Sequence, residues 1–198
     1  MKAPDLSLWD LMSIRRMCRR YQDRAVPRAT LLRVLDAARR SPSAGHSQGI
    51  RFGVVTEPDK RKEIARAFGE DEYLAKGFPA WLSPAPVHLI AAVSEQAYRE
   101  RYRLPDKSGG PDQWPVSYPV MDGGKALMSL YLAAEDCGLA CGYLGPHAGP
   151  DLVKMFDLPE DWRFIGLITL GYRYPEAQGL TRSEKLGWRP FDDVVKWV

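Results

Sequence analysis

The chain has 198 residues, is 45% hydrophobic and carries a formal net charge of +3, values that suit one globular domain over 1–198 with a sizeable core. No apolar run is long enough to span a bilayer, and none at the N-terminus has the make-up of a secretory signal. Three cysteines, an odd number without repeating spacing, argue against a disulfide scaffold and for reduced thiols in a cytoplasmic protein.

Leu8, Leu11 and Met12 recur at helical spacing and predict a short amphipathic helix over 5–13. It leads into Arg15-Arg16-Met17-Cys18-Arg19-Arg20-Tyr21, where Arg15 and Arg19 would share one face if the helix continued. Nine arginines fall between Arg15 and Arg40 against only Asp23 and Asp36. That asymmetry permits an anionic partner without demanding nucleic acid. Pro27 or Thr30 starts a helix with Leu31, Leu32, Val34, Leu35 and Ala38 on its apolar face, and Ser41-Pro42 stops it. Residues 50–56 read as a strand. Pro58 opens a helix with Ile64, Ala65 and Phe68 inward, while 69–84 show no clear pattern. The almost wholly apolar run 86–93 predicts a central strand.

Residues 95–119, rich in Tyr, Arg, Pro and Gly, predict a loop or partly helical excursion of the kind that often serves as a lid. Asp122 is placed to cap a helix from Gly123 to about Cys137, apolar nearly all round and therefore buried on most sides. A short strand over 139–144, a small helix around Leu152, Val153 and Phe156, and a buried strand over 164–171 follow. A polar loop then leads to Trp188-Arg189-Pro190-Phe191 and a last amphipathic turn. Strands and helices thus alternate in an α/β or α+β arrangement.

Four segments in order make the chain resemble the FMN-dependent nitroreductase family. Arg15 to Tyr21 matches the family's usual Arg-Arg-Ser-x-Arg-x-Phe. Pro42-Ser43-Ala44-Gly45-His46-Ser47-Gln48 matches Pro-Ser-x-x-Asn-x-Gln-Pro-Trp. The helix beginning at Asp122 with Gly142-Tyr143-Leu144-Gly145 is the third, and Leu170-Gly171-Tyr172 with Trp188-Arg189-Pro190-Phe191 the fourth. The resemblance implies an α+β fold, an α/β/α sandwich with a central, mainly antiparallel sheet flanked by helices. It also implies an intertwined homodimer with FMN at two subunit interfaces.

Carried over residue by residue, Arg15, Arg19 and Arg189 would hold the phosphate and the flavin's polar edge, with Arg16 and Met17 along the ribityl chain or ring. Pro42, Ser43, Ala44, His46 and Gln48 would come from the other subunit. Leu144 and Gly145 would present backbone groups near the redox centre. A buried phosphate dianion needs such pairing. The resemblance implies a ping-pong cycle in which NAD(P)H reduces FMN and a nitroaromatic, quinone or other electron-poor acceptor reoxidises it. The chemistry lies on the flavin, so no catalytic side chain is assigned. No Gly-x-Gly-x-x-Gly follows a strand, which fits a nicotinamide that visits the pocket transiently.

The chain departs from the pattern at Met17 for Ser, His46 for Asn, and Gly49-Ile50 for Pro-Trp. An acid at the Met17 position marks the enzyme that destroys flavin to make dimethylbenzimidazole, and its absence argues against that reaction. Tyr102, Trp114 and Tyr118 are candidates for the substrate pocket, with Tyr98 nearby; a packed loop at the dimer edge is the alternative. Cys137 and Cys141 read as buried thiols rather than metal ligands. His88 reads as a core histidine and His147 as a surface one. Other readings are a non-catalytic flavin-binding protein, a flavoenzyme for one dedicated metabolite and, last, nucleic-acid binding by the arginine cluster.

Overall fold

A computed structural model describes residues 6–107, 109–110, 113–175 and 185–198. Helix α1 (Leu8–Ile14) is closed at its start by a capping box between Ser7 and Asp10. Helix α2 (Arg28–Arg39) follows Pro27 and buries Leu31, Val34 and Ala38. A single 3-10 turn, Ala44–His46, precedes strand β1 (Ile50–Val55). Helices α3 (Pro58–Ala67) and α4 (Glu70–Ala75) lead to β2 (Val87–Ser94), which is buried along its whole length. Helix α5 (Glu95–Tyr102), capped by Ser94, is the helical part of the expected excursion. Then come α6 (Tyr118–Asp136), β3 (Ala140–Leu144), α7 (Leu152–Met155), β4 (Trp162–Gly171) and α8 (Phe191–Val194).

The four strands form one antiparallel sheet in the order β1-β2-β4-β3. Side chains of β2 alternate between two cores. Leu89, Ala91 and Val93 pack with α2 and α6, while Ile90 and Ala92 pack with α3 and α7. Helices on both faces of an antiparallel sheet give the expected α+β sandwich.

Helix α1 ends at Ile14, and the arginine run that follows it is not helical. One expectation is corrected. Asp122 does not cap α6, which begins four residues earlier at Tyr118 with Pro119 in its first turn. Asp122 is buried inside the helix, because partners from two other segments draw its carboxylate inward. The segment 69–84, without pattern in the sequence, holds α4 and a loop organised by the buried Glu70. The polar loop expected after Gly171 lies partly outside the described residues, as do 1–5, 108 and 111–112.

Candidate functional site

The arginine segment is tied by main-chain bonds and an isolated bridge, Tyr21 with Arg173, to β3 and the residues after β4. Cys18 N–H donates to Cys141 O at 2.7 Å, Gln22 N–H to Tyr172 O at 2.8 Å, and Tyr174 N–H to Arg20 O at 3.0 Å. Cys18 and Tyr21 turn inward, and the Tyr21 hydroxyl meets Thr169 Oγ1 at 2.7 Å. The close approach needs Gly142, where a Cβ would lie 2.4 Å from Cys18 O. With the main chain fixed on both sides, the outward side chains become a defined array.

Those side chains have different fates. Arg16 folds back onto the Ser13 and Arg15 carbonyls at 2.7 and 3.0 Å. Arg20 covers Tyr174, and Arg24 covers Tyr172. Arg15 and Arg19 form no carboxylate ion pair among the described residues. Arg19 lies over the face of Trp81, 5.6 Å from its centroid, leaving the guanidinium edge open. Trp81 is itself fixed: Glu70 accepts from the N–H groups of Trp81, Leu82 and Ser83. Met17 is exposed beside them.

Beneath Arg15 and Arg16 lies Glu135, near the end of α6. Arg173 donates to its Oε1 at 2.8 Å. Burial pushes this carboxyl above its usual range, against the pull of Arg173 and Arg15.

The second half of the site is the loop 41–49. Positive φ angles at Gly45 (61°), His46 (61°) and Gln48 (51°) give it a tight, strained path. Several bonds hold that path. Ala44 N–H donates to Asp122 Oδ2 at 2.8 Å, Gln48 N–H to Ser43 Oγ at 2.9 Å, and Arg101 Nε to Gly45 O at 2.7 Å. Ser41 Oγ donates to Ser129 Oγ at 2.7 Å. Asp122 also accepts from the Tyr98 hydroxyl and from Lys125, both at 2.8 Å. The departure at Gly49 has a local cause: a Cβ there would stand 2.3 Å from the buried Tyr98 ring. Pro42, His46 and Gln48 are exposed.

Trp114 is the centre of an aromatic cluster against this loop. Tyr98, Tyr102 and Tyr118 present rings edge-on to it at 6.1, 4.8 and 4.9 Å. The three pocket candidates are thus brought together, with Tyr102 against Gly45. Leu144 and Gly145 lie half-buried at the end of β3, with the His147 ring packed against Gly145. His147 is exposed, as expected. His88 is a core residue: Nε2 contacts Leu82 O at 2.9 Å, and Nδ1 has no partner among the described residues.

Arg189 stands on the exposed C-terminal segment, and no hydrogen bond or ring contact joins it to the arginine run. The loop 41–49 and the arginine run are tied to α6 at different points: Asp122, bonded to Ala44, and Glu135, paired with the Arg173 that bridges Tyr21, lie 13 residues apart, about 20 Å along the helix axis. Sequence reasoning missed Glu135, Trp81 and the inward role of Asp122. The one available signal was the few charged residues, Asp122, Lys125, Glu135 and Asp136, on an otherwise largely apolar helix. Among the described residues no group of three or more His, Cys, Asp or Glu is placed to hold a metal. No helix among them is long and apolar enough to cross a membrane.

The site's chemistry suits a phosphate-bearing aromatic cofactor: at one place the Arg15 and Arg19 guanidiniums, without a carboxylate ion pair among the described residues, and at another a strained loop and aromatic faces. Comparison with known proteins agrees. Residues 13–172 match the model of the Nitroreductase family. A Methanothermobacter thermautotrophicus protein provisionally named NADH dehydrogenase/NAD(P)H nitroreductase is 26% identical over 175 residues, 86% of this chain and 80% of its own. The 5,6-dimethylbenzimidazole synthase of Rhodospirillum rubrum is 27% identical over 194 residues, 90% of this chain and 87% of its own. A crystal structure from Exiguobacterium sibiricum, provisionally described as a nitroreductase in complex with FMN, shares the fold with a TM-score of 0.77 at 15% identity. It covers the whole of both chains.

Proposed function

The chain belongs to the nitroreductase family and is a flavin oxidoreductase with FMN as its cofactor; from that premise we propose that it passes electrons from NAD(P)H to an electron-poor small molecule, a nitroaromatic or quinone, in a ping-pong cycle. When bound, FMN supplies the redox chemistry. The chain's own residues bind, orient and enclose. Arg15 and Arg19 take the phosphate and the flavin's polar edge, joined by Arg189. Arg16 and Met17 lie along the ribityl chain or ring. Leu144 and Gly145 offer backbone groups at the reacting edge. Pro42, Ser43, Ala44, His46 and Gln48 close the site from a second copy. Tyr102, Trp114 and Tyr118 wall the acceptor pocket.

The observation that carries this reading is the pair Arg15 and Arg19, which form no carboxylate ion pair among the described residues and stand on a segment whose main chain is bonded to Cys141, Tyr172 and Tyr174. A phosphate dianion satisfies them with charged hydrogen bonds. The homodimer is supported by the span between the two halves, longer than a flavin ring system. Three free thiols support a reducing compartment, the cytoplasm. In the R. rubrum synthase's direction the support is weaker, because Met17 stands where that reaction has an acid.

The test is a visible spectrum of the protein after reconstitution with FMN, then anaerobic addition of NADPH and NADH. Bleaching of a bound-flavin spectrum is the expected result. A bound flavin that stays oxidised would leave the non-catalytic binding reading. No bound flavin would overturn both.

A further inference from the structure

The Arg19 guanidinium carbon lies over the Trp81 ring, 5.6 Å from its centroid. Trp81 belongs to the loop between α4 and β2, and three side chains fix that loop from within the fold. The buried Glu70 carboxylate accepts Trp81 N–H at 2.9 Å, Leu82 N–H at 2.7 Å and Ser83 N–H at 3.2 Å. Arg61 donates to Ser83 O at 3.0 Å and to Ala85 O at 2.6 Å. His88 Nε2 stands 2.9 Å from Leu82 O. The indole itself is half-buried against the core that holds Ile64, Ile90 and Leu167.

We propose that Trp81 is a positioning residue of the cofactor's phosphate site, its ring holding the Arg19 guanidinium so that the N–H edge meets the phosphate. The proposal rests on the flavin reading above. A ring–cation contact on a surface is adaptable when both partners can drift, and here both are placed by main-chain bonds. Those of the arginine segment run to Cys141, Tyr172 and Tyr174. Those of the Trp81 loop run to Glu70, Arg61 and His88. Stacking uses the flat face of a guanidinium and leaves its N–H groups in the plane, free to bond. A phosphate then meets an arginine already oriented, and less side-chain freedom is lost on binding. The acid that fixes Trp81 does not compete for Arg19. Burial works against its charge, but the hydrogen bonds from Ser83, Trp81 and Leu82 outweigh burial and hold its carboxyl below the usual range. Arg19 itself forms no carboxylate ion pair among the described residues. Trp81 thereby favours FMN over the same flavin without its phosphate.

The test compares wild type with W81A, W81F, R19A and R19A/W81A as full chains stripped of flavin. FMN and riboflavin, which lacks the phosphate, are each titrated by quenching of flavin fluorescence, and thermal unfolding is recorded. W81A is expected to weaken FMN about fivefold, the scale of one exposed ring–cation contact, and to leave riboflavin within about twofold of wild type. W81F keeps a ring face and is expected to restore FMN affinity to within about twofold. In the R19A background, W81A is expected to weaken FMN no further, because the two side chains act as one unit. W81L keeps apolar bulk against the core and removes the ring, and it carries the test if W81A does not fold.

Wild-type FMN affinity in W81A or W81L overturns the proposal and leaves the flavin reading intact. Equal weakening of FMN and riboflavin overturns it by making Trp81 a contact to the ring system or a structural residue, the second marked by a lowered unfolding temperature. Additive losses in R19A/W81A, or a loss in W81F as large as in W81A, overturn it as well. A wild type that binds FMN no tighter than riboflavin removes the phosphate contact and the proposal together. A wild type that binds no FMN overturns the flavin reading and this proposal with it.

Discussion

Replacing Arg15 or Arg19 by Ala removes a guanidinium that forms no carboxylate ion pair among the described residues. A charged hydrogen bond is worth about 1.5–3 kcal/mol, so FMN affinity is expected to fall roughly ten- to a hundredfold in fluorescence titration. Arg16→Ala is expected to lose less, because Arg16 is turned onto the Ser13 and Arg15 carbonyls. Equal losses in all three would mean a diffuse positive field rather than a built site. The residue types in the run advertise phosphate binding in the sequence. Which of them is committed elsewhere does not show there, because Arg20 and Arg24 find Tyr174 and Tyr172 across a pairing with the far end of the chain. His88 is a second case. Burial lowers its pKa from 6.5 to about 4. Between those values the unfolded chain takes a proton that the folded chain refuses. Stability is therefore full above pH 6.5 and declines as pH falls towards 4, by on the order of 3 kcal/mol in total. Urea midpoints at pH 7 and pH 5 are expected to differ more in wild type than in His88→Gln. Identical pH dependence would place the acid sensitivity elsewhere.

Among elements, the loop 41–49 and α5 are fitted to each other through Gly49 and Tyr98. A Cβ at Gly49 would meet the Tyr98 ring at 2.3 Å, so Gly49→Ala is expected to cost about 1–3 kcal/mol by overpacking. In a double-mutant cycle with Tyr98→Ala the two losses are expected to be non-additive, since the shorter side chain removes the clash. Strict additivity in chemical denaturation would sink this account of the departure from Pro-Trp. The strands were readable for a clear reason. β2 is buried on both faces and therefore apolar throughout, and α2 shows one apolar stripe. Helix α4 was not, being six residues with three acids in its first turn and too short for periodicity. Asp122 misled for a related reason: an acid before Gly123-Gly124 has the local signature of a cap, while Tyr98 and Ala44, which claim its carboxylate, lie far off in sequence.

For the whole molecule, the two halves of the cradle face a single question: whether one chain closes them on one flavin. Asp122, bonded to the loop, and Glu135, paired with the Arg173 that bridges Tyr21, lie about 20 Å apart on a continuous helix, and a helix does not fold back to join its ends. Exposed apolar residues cluster near both termini, with Trp9 at 75%, Trp188 at 96% and Trp197 at 88% exposure. Such surfaces mark a site that something covers, and in the proposed homodimer a second copy would cover them while supplying the other half of each site. Sedimentation equilibrium is therefore expected to give twice 22.3 kDa. Trp188→Asp with Trp197→Asp is expected to shift the protein towards monomer and to weaken FMN binding in the same samples, with flavin affinity rising again with protein concentration by mass action. A monomer that holds FMN as tightly as wild type would show that one chain completes the cradle alone, and the assignment of Pro42, Ser43, Ala44, His46 and Gln48 to a partner's flavin would then fail with it.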